Sequence, residues 1–309
     1  SPAHPLKPTQ KVDDEHTKES SQHSQCPRRI LNPSGQATKT EQPAQDHPWL
    51  VHQMQTPHNR NMLRLLAHSG LILALTILTQ IGGLAWVIAL WFKHRLIVFL
   101  LTYAMLWVAA TWIAPQFGRV ALSCTMDGPL QVQSWVYCAL NRAYVTPELR
   151  DALVDVAQDM EEDFPGTQTL VLDGSFPFID GFPLIPHLSH DDGEKVDLAF
   201  YYRDTDGYLP GKTRSPIGFF AFEEGPTDCP AAWPTMRWDL GPLQPLWHDY
   251  TTDAPRTAAL LRHLSNDPRI GKIFVEPHLL QTWGVSHPKI RFQGCRAARH
   301  DDHIHLQLR

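Results

Sequence analysis

Asp302-His303-Ile304-His305-Leu306-Gln307-Leu308 alternates polar and apolar side chains. Such alternation reads as a strand that buries a face against a core. Successive strand side chains point to opposite faces. Ile304, Leu306 and Leu308 therefore turn one way, and His303 and His305 share the other. His300 stands a short turn upstream. Three imidazoles gathered in this way are suitable nitrogen donors for a metal ion.

A second cluster of matching chemistry comes earlier, His187-Leu-Ser-His190-Asp-Asp-Gly193-Glu-Lys-Val-Asp197. Residues 196–202 read as a buried strand, with Asp197 near its start. An aspartate inside an apolar run is costly unless it is paired or binds a metal. Gly193 lets the backbone turn so that His190 and Asp197 can converge. A catalytic zinc keeps three protein ligands and leaves one position for water. The chain has 17 histidines, so either cluster alone would say little; together they are specific.

These residues resemble the LAS superfamily of zinc peptidases, and most closely its penicillin-insensitive murein endopeptidases. The family's first motif, His-x-x-His-x-x-Gly-x-x-x-Asp, is matched by His187, His190, Gly193 and Asp197. Its second, His-x-x-His-x-His, is matched by His300, His303 and His305. The resemblance covers residues 145–309. It implies that His190, Asp197 and His305 bind Zn2+. It implies that His303 is the general base or orients the attacking water, with His300 and His187 at the edge of the site, contacting substrate or stabilising the transition state. Related D-Ala-D-Ala peptidases place a Glu base where Asp302 stands, so Asp302 is the alternative base. The implied substrates are peptidoglycan peptides, cut either at the D-alanyl cross-link or at a terminal D-Ala. The alternative is a non-catalytic zinc-containing module that binds cell wall or another ligand from a membrane anchor.

Residues 71–92 and 96–114 are two uncharged apolar runs separated by Lys93-His94-Arg95. Each is long enough to cross a bilayer core as a helix of about 20 residues. Trp86, Trp91, Trp107 and Trp112 fit interfacial anchors. Lys93 and Arg95 favour a cytoplasmic turn with both hairpin ends facing outward, whereas Arg60 and Arg64 before the first run pull the other way. Cys124, Cys138, Cys229 and Cys295 all follow the second run, an even number suited to disulfides in an oxidising space. The expected location is the bacterial inner membrane, with the His-bearing domain on the periplasmic side. The mild net charge of −5 and the lack of a basic stripe argue against nucleic-acid binding. No glycine motif for a nucleotide is present.

Residues 1–60 are rich in Pro, Gln, Ser, His and Thr and read as a disordered tail. The chain opens with Ser, and the expected start of the native product is Met54 or Met62. Cys26 has no assigned role. Residues 65–115 form the expected membrane hairpin, 116–145 a linker and 146–309 the zinc peptidase domain. In that domain Thr146-Pro147 opens a helix whose Leu149, Ala152, Leu153, Val156, Ala157, Met160 and Phe164 share a face. Residues 169–173 and 270–275 read as strands, and Pro255 opens a further helix. Trp233, Trp238 and Trp247 could line a groove or plug gaps in an irregular core. Arg237 is a candidate partner for a substrate carboxylate. The expected fold is α+β, a small, mainly antiparallel sheet with helices of the LAS/hedgehog-like kind, preceded by the two-helix hairpin.

Overall fold

A computed structural model describes residues 57–309, apart from 126, 228, 230–236 and 239. The expected disordered tail, Cys26, Met54 and Trp233 lie outside the described residues, except that 57–60 already belong to the first helix. Three helices come first: α1 (Pro57–Thr79), α2 (Gly82–Ala89) and α3 (Arg95–Ile113), the last extended by a 3-10 turn at Ala114–Phe117. The apolar run 71–92 is thus not one helix, as expected, but the end of α1 and the whole of α2. The break has a local cause. Gln80 has a positive φ of 67°, and the Thr79 hydroxyl accepts from Gly82 N at 2.8 Å. Gly83 then lets α2 fold back onto α1, because a Cβ there would lie 1.9 Å from Thr76 Oγ1. Asn59–Thr79 and Arg95–Phe117 are both long and apolar enough to cross a membrane.

The three helices run alternately up and down. Trp86 of α2 lies between the other two, its indole N–H 3.3 Å from His68 Nδ1 and its ring 5.5 Å from Phe99. Arg60 and Arg64 precede His68 on α1, Arg95 precedes Phe99 on α3, and Lys93 follows Trp86. All four cations therefore gather at one end of the bundle. The sheet domain attaches at the other end. Asn141 donates to Thr79 O at 3.2 Å, and Trp107 Nε1 donates to Cys138 O at 2.6 Å. The start of α1 and the turn after α2 therefore share an end, which overturns the expectation that both hairpin ends lie opposite the Lys93–Arg95 turn.

The remaining elements are β1 (Val120–Ala121), β2 (Leu130–Val132), α4 (Trp135–Ala139), β3 (Tyr144–Val145), α5 (Pro147–Asp163), β4 (Thr169–Asp173), β5 (Lys195–Ala199), β6 (Tyr202–Arg203), β7 (Thr251–Thr252), α6 (Ala254–Asn266), β8 (Ile270–Phe274), α7 (Pro277–Trp283), β9 (Ile290–Arg291) and β10 (His303–Leu308). The main sheet has six strands in the order β2-β4-β5-β10-β8-β9. Its inner pairings are antiparallel, but both edge strands pair in parallel. The sheet is therefore mixed rather than mainly antiparallel. Each parallel edge is reached by a helical crossover, α5 after β2 and α7 after β8, as parallel neighbours require.

Residues 116–145 are not a linker. They supply the edge strand β2, and Cys124 and Cys138 close a disulfide within them. α5 is capped by Thr146, whose hydroxyl accepts from Leu149 N, and it buries six of the seven residues expected; the seventh, Phe164, is its half-buried C-cap. α6 is capped in the same way by Asp253. β10 is buried on both faces: Ile304 and Leu306 are fully enclosed on one, His303 and His305 nearly so on the other. The apolar face belongs to the principal core with Val196, Leu198 and Ile273. Burial of this kind is the main drive for placing the strand, and the histidine face needs another explanation.

Candidate metal centre

Strand register makes the centre. His305 on β10 stands directly opposite Asp197 on β5, and directly paired side chains on one sheet face are in contact. His305 Nδ1 lies 2.9 Å from Asp197 Oδ1. His190 reaches the same point from the loop before β5. Its Nε2 lies 3.1 Å from His305 Nδ1 and 3.3 Å from Asp197 Oδ1. All three residues are buried. Ligands of a tetrahedral zinc with bonds of about 2.0–2.1 Å are separated by roughly 3.3 Å, so this triangle is the right size for one ion. The tautomer fits as well. His190 Nδ1 donates to Gly174 O at 3.0 Å, which leaves the Nε2 lone pair facing the other two donors.

Electrostatics favours the donor forms. Burial alone would raise Asp197, but the imidazoles of His190, His303 and His187 hold its carboxyl well below the usual range. Burial is the chief reason His305 falls to about 4, with Asp197 pulling up and His190 and His303 pushing down. His300 is lowered strongly by burial and by its neighbours His303 and His305. A neutral His305 beside an ionised Asp197 suits a divalent ion, since a protonated ligand cannot bind it.

His303 is placed differently. Its Nδ1 donates to Asp302 Oδ1, and its Nε2 lies 3.7 Å from Asp197 Oδ1 on the edge of the triangle. Burial opposes charge on His303, but Asp302 and Asp197 outweigh it and raise the imidazole above its ordinary value. Asp302 also accepts from Phe220 N at 2.6 Å. With its two oxygens engaged by His303 and Phe220, Asp302 sits behind His303 and orients it. The His300 ring lies tilted beside His303, ring centres 4.9 Å apart. A cavity of about 200 Å3 opens over these groups, lined by Pro186, Leu188, Gln293 and Ala297.

His187 is the other histidine in this cavity. Burial would lower it, yet Asp197 and Asp173 raise it to about 10. Its Nδ1 is 3.0 Å from Asp173 Oδ2 and 2.9 Å from Asp197 Oδ2. Asp173 itself went unnoticed in the sequence, although it closes an apolar strand just as Asp197 sits in one. It is fully buried and held by Arg142, which also donates to Ile185 O at 2.7 Å. Burial alone would raise Asp173; bonds from Arg142 and His187 hold it down. The resulting stability is present above the ordinary carboxylate range and is lost as pH falls through the depressed value. Removing one partner of a buried ion pair costs about 3–5 kcal/mol. Arg142→Ala should lose that much in urea unfolding near neutral pH, and less in acid; an unchanged midpoint would show the pair to be idle.

Arg237 does not face the cavity. Its guanidinium holds both oxygens of Glu276, at 2.9 and 3.0 Å. Glu276 in turn accepts from His300 N at 3.3 Å. Arg237 thus braces the backbone of His300 and is not placed to meet a substrate carboxylate. Trp247 donates its indole N–H to Phe220 O at 2.9 Å, the part of a gap-filler, and Trp238 is exposed. The four later cysteines form two disulfides, Cys124–Cys138 and Cys229–Cys295. The second ties the segment before His300 to the long loop that follows β6. No family model matches the chain, and no curated protein matches it.

Proposed function

We propose that the protein is a membrane-anchored zinc peptidase that hydrolyses peptidoglycan peptides on the extracytoplasmic side. The observation that carries this reading is the triangle of His190, Asp197 and His305 with the Asp302–His303 pair beside it. Two imidazoles and one carboxylate match the donor set of a catalytic zinc, with a side left open. A zinc ion bound there supplies a Lewis acid and lowers the pKa of a bound water toward neutrality.

The chain's own residues do the rest. His303 Nε2 faces the open side and takes a proton from water, then returns it to the leaving amine. Asp302 keeps the proton of the free imidazole on Nδ1, so that Nε2 is the basic nitrogen, and stabilises the imidazolium once formed. His187 donates toward Asp173 and presents its other edge to the cavity, where a protonated imidazole suits a developing oxyanion or a substrate carboxylate. No serine or cysteine nucleophile is required.

The membrane part of the proposal rests on charge and cysteine placement. Arg60, Arg64, Lys93 and Arg95 lie at the same end of the bundle, so the positive-inside tendency acts in one direction. It puts that end in the cytoplasm and the sheet domain outside, where two disulfides persist. Full-length protein in detergent, loaded with zinc, should cleave muropeptide dimers and lose that cleavage in chelator, read by mass spectrometry. Intact dimers with the zinc-loaded protein would overturn the peptidase reading.

A further inference from the structure

The loop that carries the first ligand motif also rests on the helical bundle. Phe178 N donates to Gln80 Oε1 at 3.0 Å, at the end of α1. The Phe178 ring packs edge-on against Phe117, 5.3 Å away. Phe117 is the last residue of the second apolar span. The loop therefore starts level with the domain-side ends of both spans. It then continues past Ile185, whose carbonyl is held by Arg142, to His187 and His190 in the cavity.

Its composition is unusual for exposed backbone. Residues 176–186 read Phe-Pro-Phe-Ile-Asp-Gly-Phe-Pro-Leu-Ile-Pro. Their single charge, Asp180, is paired with Arg119. Ile179, Ile185 and Leu188 are nonetheless 55%, 52% and 59% exposed. Contiguous exposed apolar side chains mark a contact surface. The loop is joined to the bundle through Phe178 and Phe117, and Met105 and Trp112 of the bundle are similarly bare.

Resting on the membrane reading above, we propose that residues 178–188 are a membrane-contacting loop, seated in the surface of the lipid bilayer beside the helical bundle. Irregular backbone is excluded from the hydrocarbon centre, so the loop lies at the boundary of headgroups and acyl chains, where apolar side chains enter by roughly 5–10 Å. Leu188 lines the cavity, so the mouth of the metal centre then opens at the bilayer surface. The substrates it meets there are amphiphiles, with a polar peptide entering the cleft and an apolar tail remaining in lipid.

The test is depth-dependent quenching in full-length protein reconstituted into phosphatidylcholine–phosphatidylglycerol liposomes. A cysteine replaces Ile185 in a Cys26→Ser background and carries an environment-sensitive fluorophore. Ile179 serves as a second loop position should the first variant fail to fold. Met105 on the bundle and Glu162 at the far end of α5 are the controls. Lipids with a quencher high on the acyl chain should quench the loop label at least half as strongly as Met105, and Glu162 hardly at all. A loop label that behaves like Glu162 while Met105 is quenched overturns the loop proposal and leaves the membrane reading intact. Failure to quench Met105 overturns both.

Discussion

Alanine at His190, Asp197 or His305 should each take zinc from about one ion per chain to almost none, since three protein ligands are the usual minimum for a catalytic site. The loss should be similar for all three, because each supplies one corner of a triangle with edges of 2.9–3.3 Å. Stability should fall along with metal. The ion would join β5, β10 and the loop before β5, so its binding energy is also folding energy. Chelator should therefore lower the melting temperature of the parent protein and leave the three variants nearly unmoved. Full zinc content in all three variants, by elemental analysis after dialysis, would remove the site assignment altogether.

His303→Ala should keep its zinc and lose about 10²–10⁴-fold in kcat, the usual contribution of a general acid–base group. The geometry separates its role from that of Asp302. His303 presents Nε2 to the open side of the triangle, whereas Asp302 is spent on His303 Nδ1 and Phe220 N. Asp302→Asn should therefore retain the fold and the metal and lose less than His303→Ala. It should also shift the alkaline or acid limb of the pH–rate profile, which a purely structural residue would not do. A loss in Asp302→Asn at least as large as in His303→Ala, with the parent pH profile kept in His303→Ala and lost in Asp302→Asn, would mean that the carboxylate, not the imidazole, is the base.

Much of this centre was legible in the sequence because its geometry is periodic. A strand places i and i+2 together, so His303 and His305 could be assigned to one face from spacing alone. The same is true of α5, whose apolar face is the one expected. Contacts set by tertiary pairing were not legible. Nothing local says that β2 and β9 join the sheet in parallel, nor that Arg142 reaches Asp173 across 31 positions. Arg237 read as a candidate partner for a substrate carboxylate because its actual partner, Glu276, is 39 positions away. The division of 71–92 at Gln80 was masked by uniform apolarity. The signal lay in Gly82-Gly83 and Thr79, whose polar and small side chains mark a reversal rather than an interruption.

The place of β10 in the sheet has a consequence for when the candidate metal centre is complete. β10 sits between β5 and β8, yet the chain makes both of those strands before it. During synthesis the two neighbours must wait with a gap between them, and the central pairing is the last to close. His190 and Asp197 can meet early, because they share a loop and strand. The third corner arrives only with His305, in the strand that fills the gap. Until then the emerging chain holds two of the three donors, which make a poor trap for a metal ion. The order of strands thus acts as a timer: the triangle of donors cannot form before the sheet is complete.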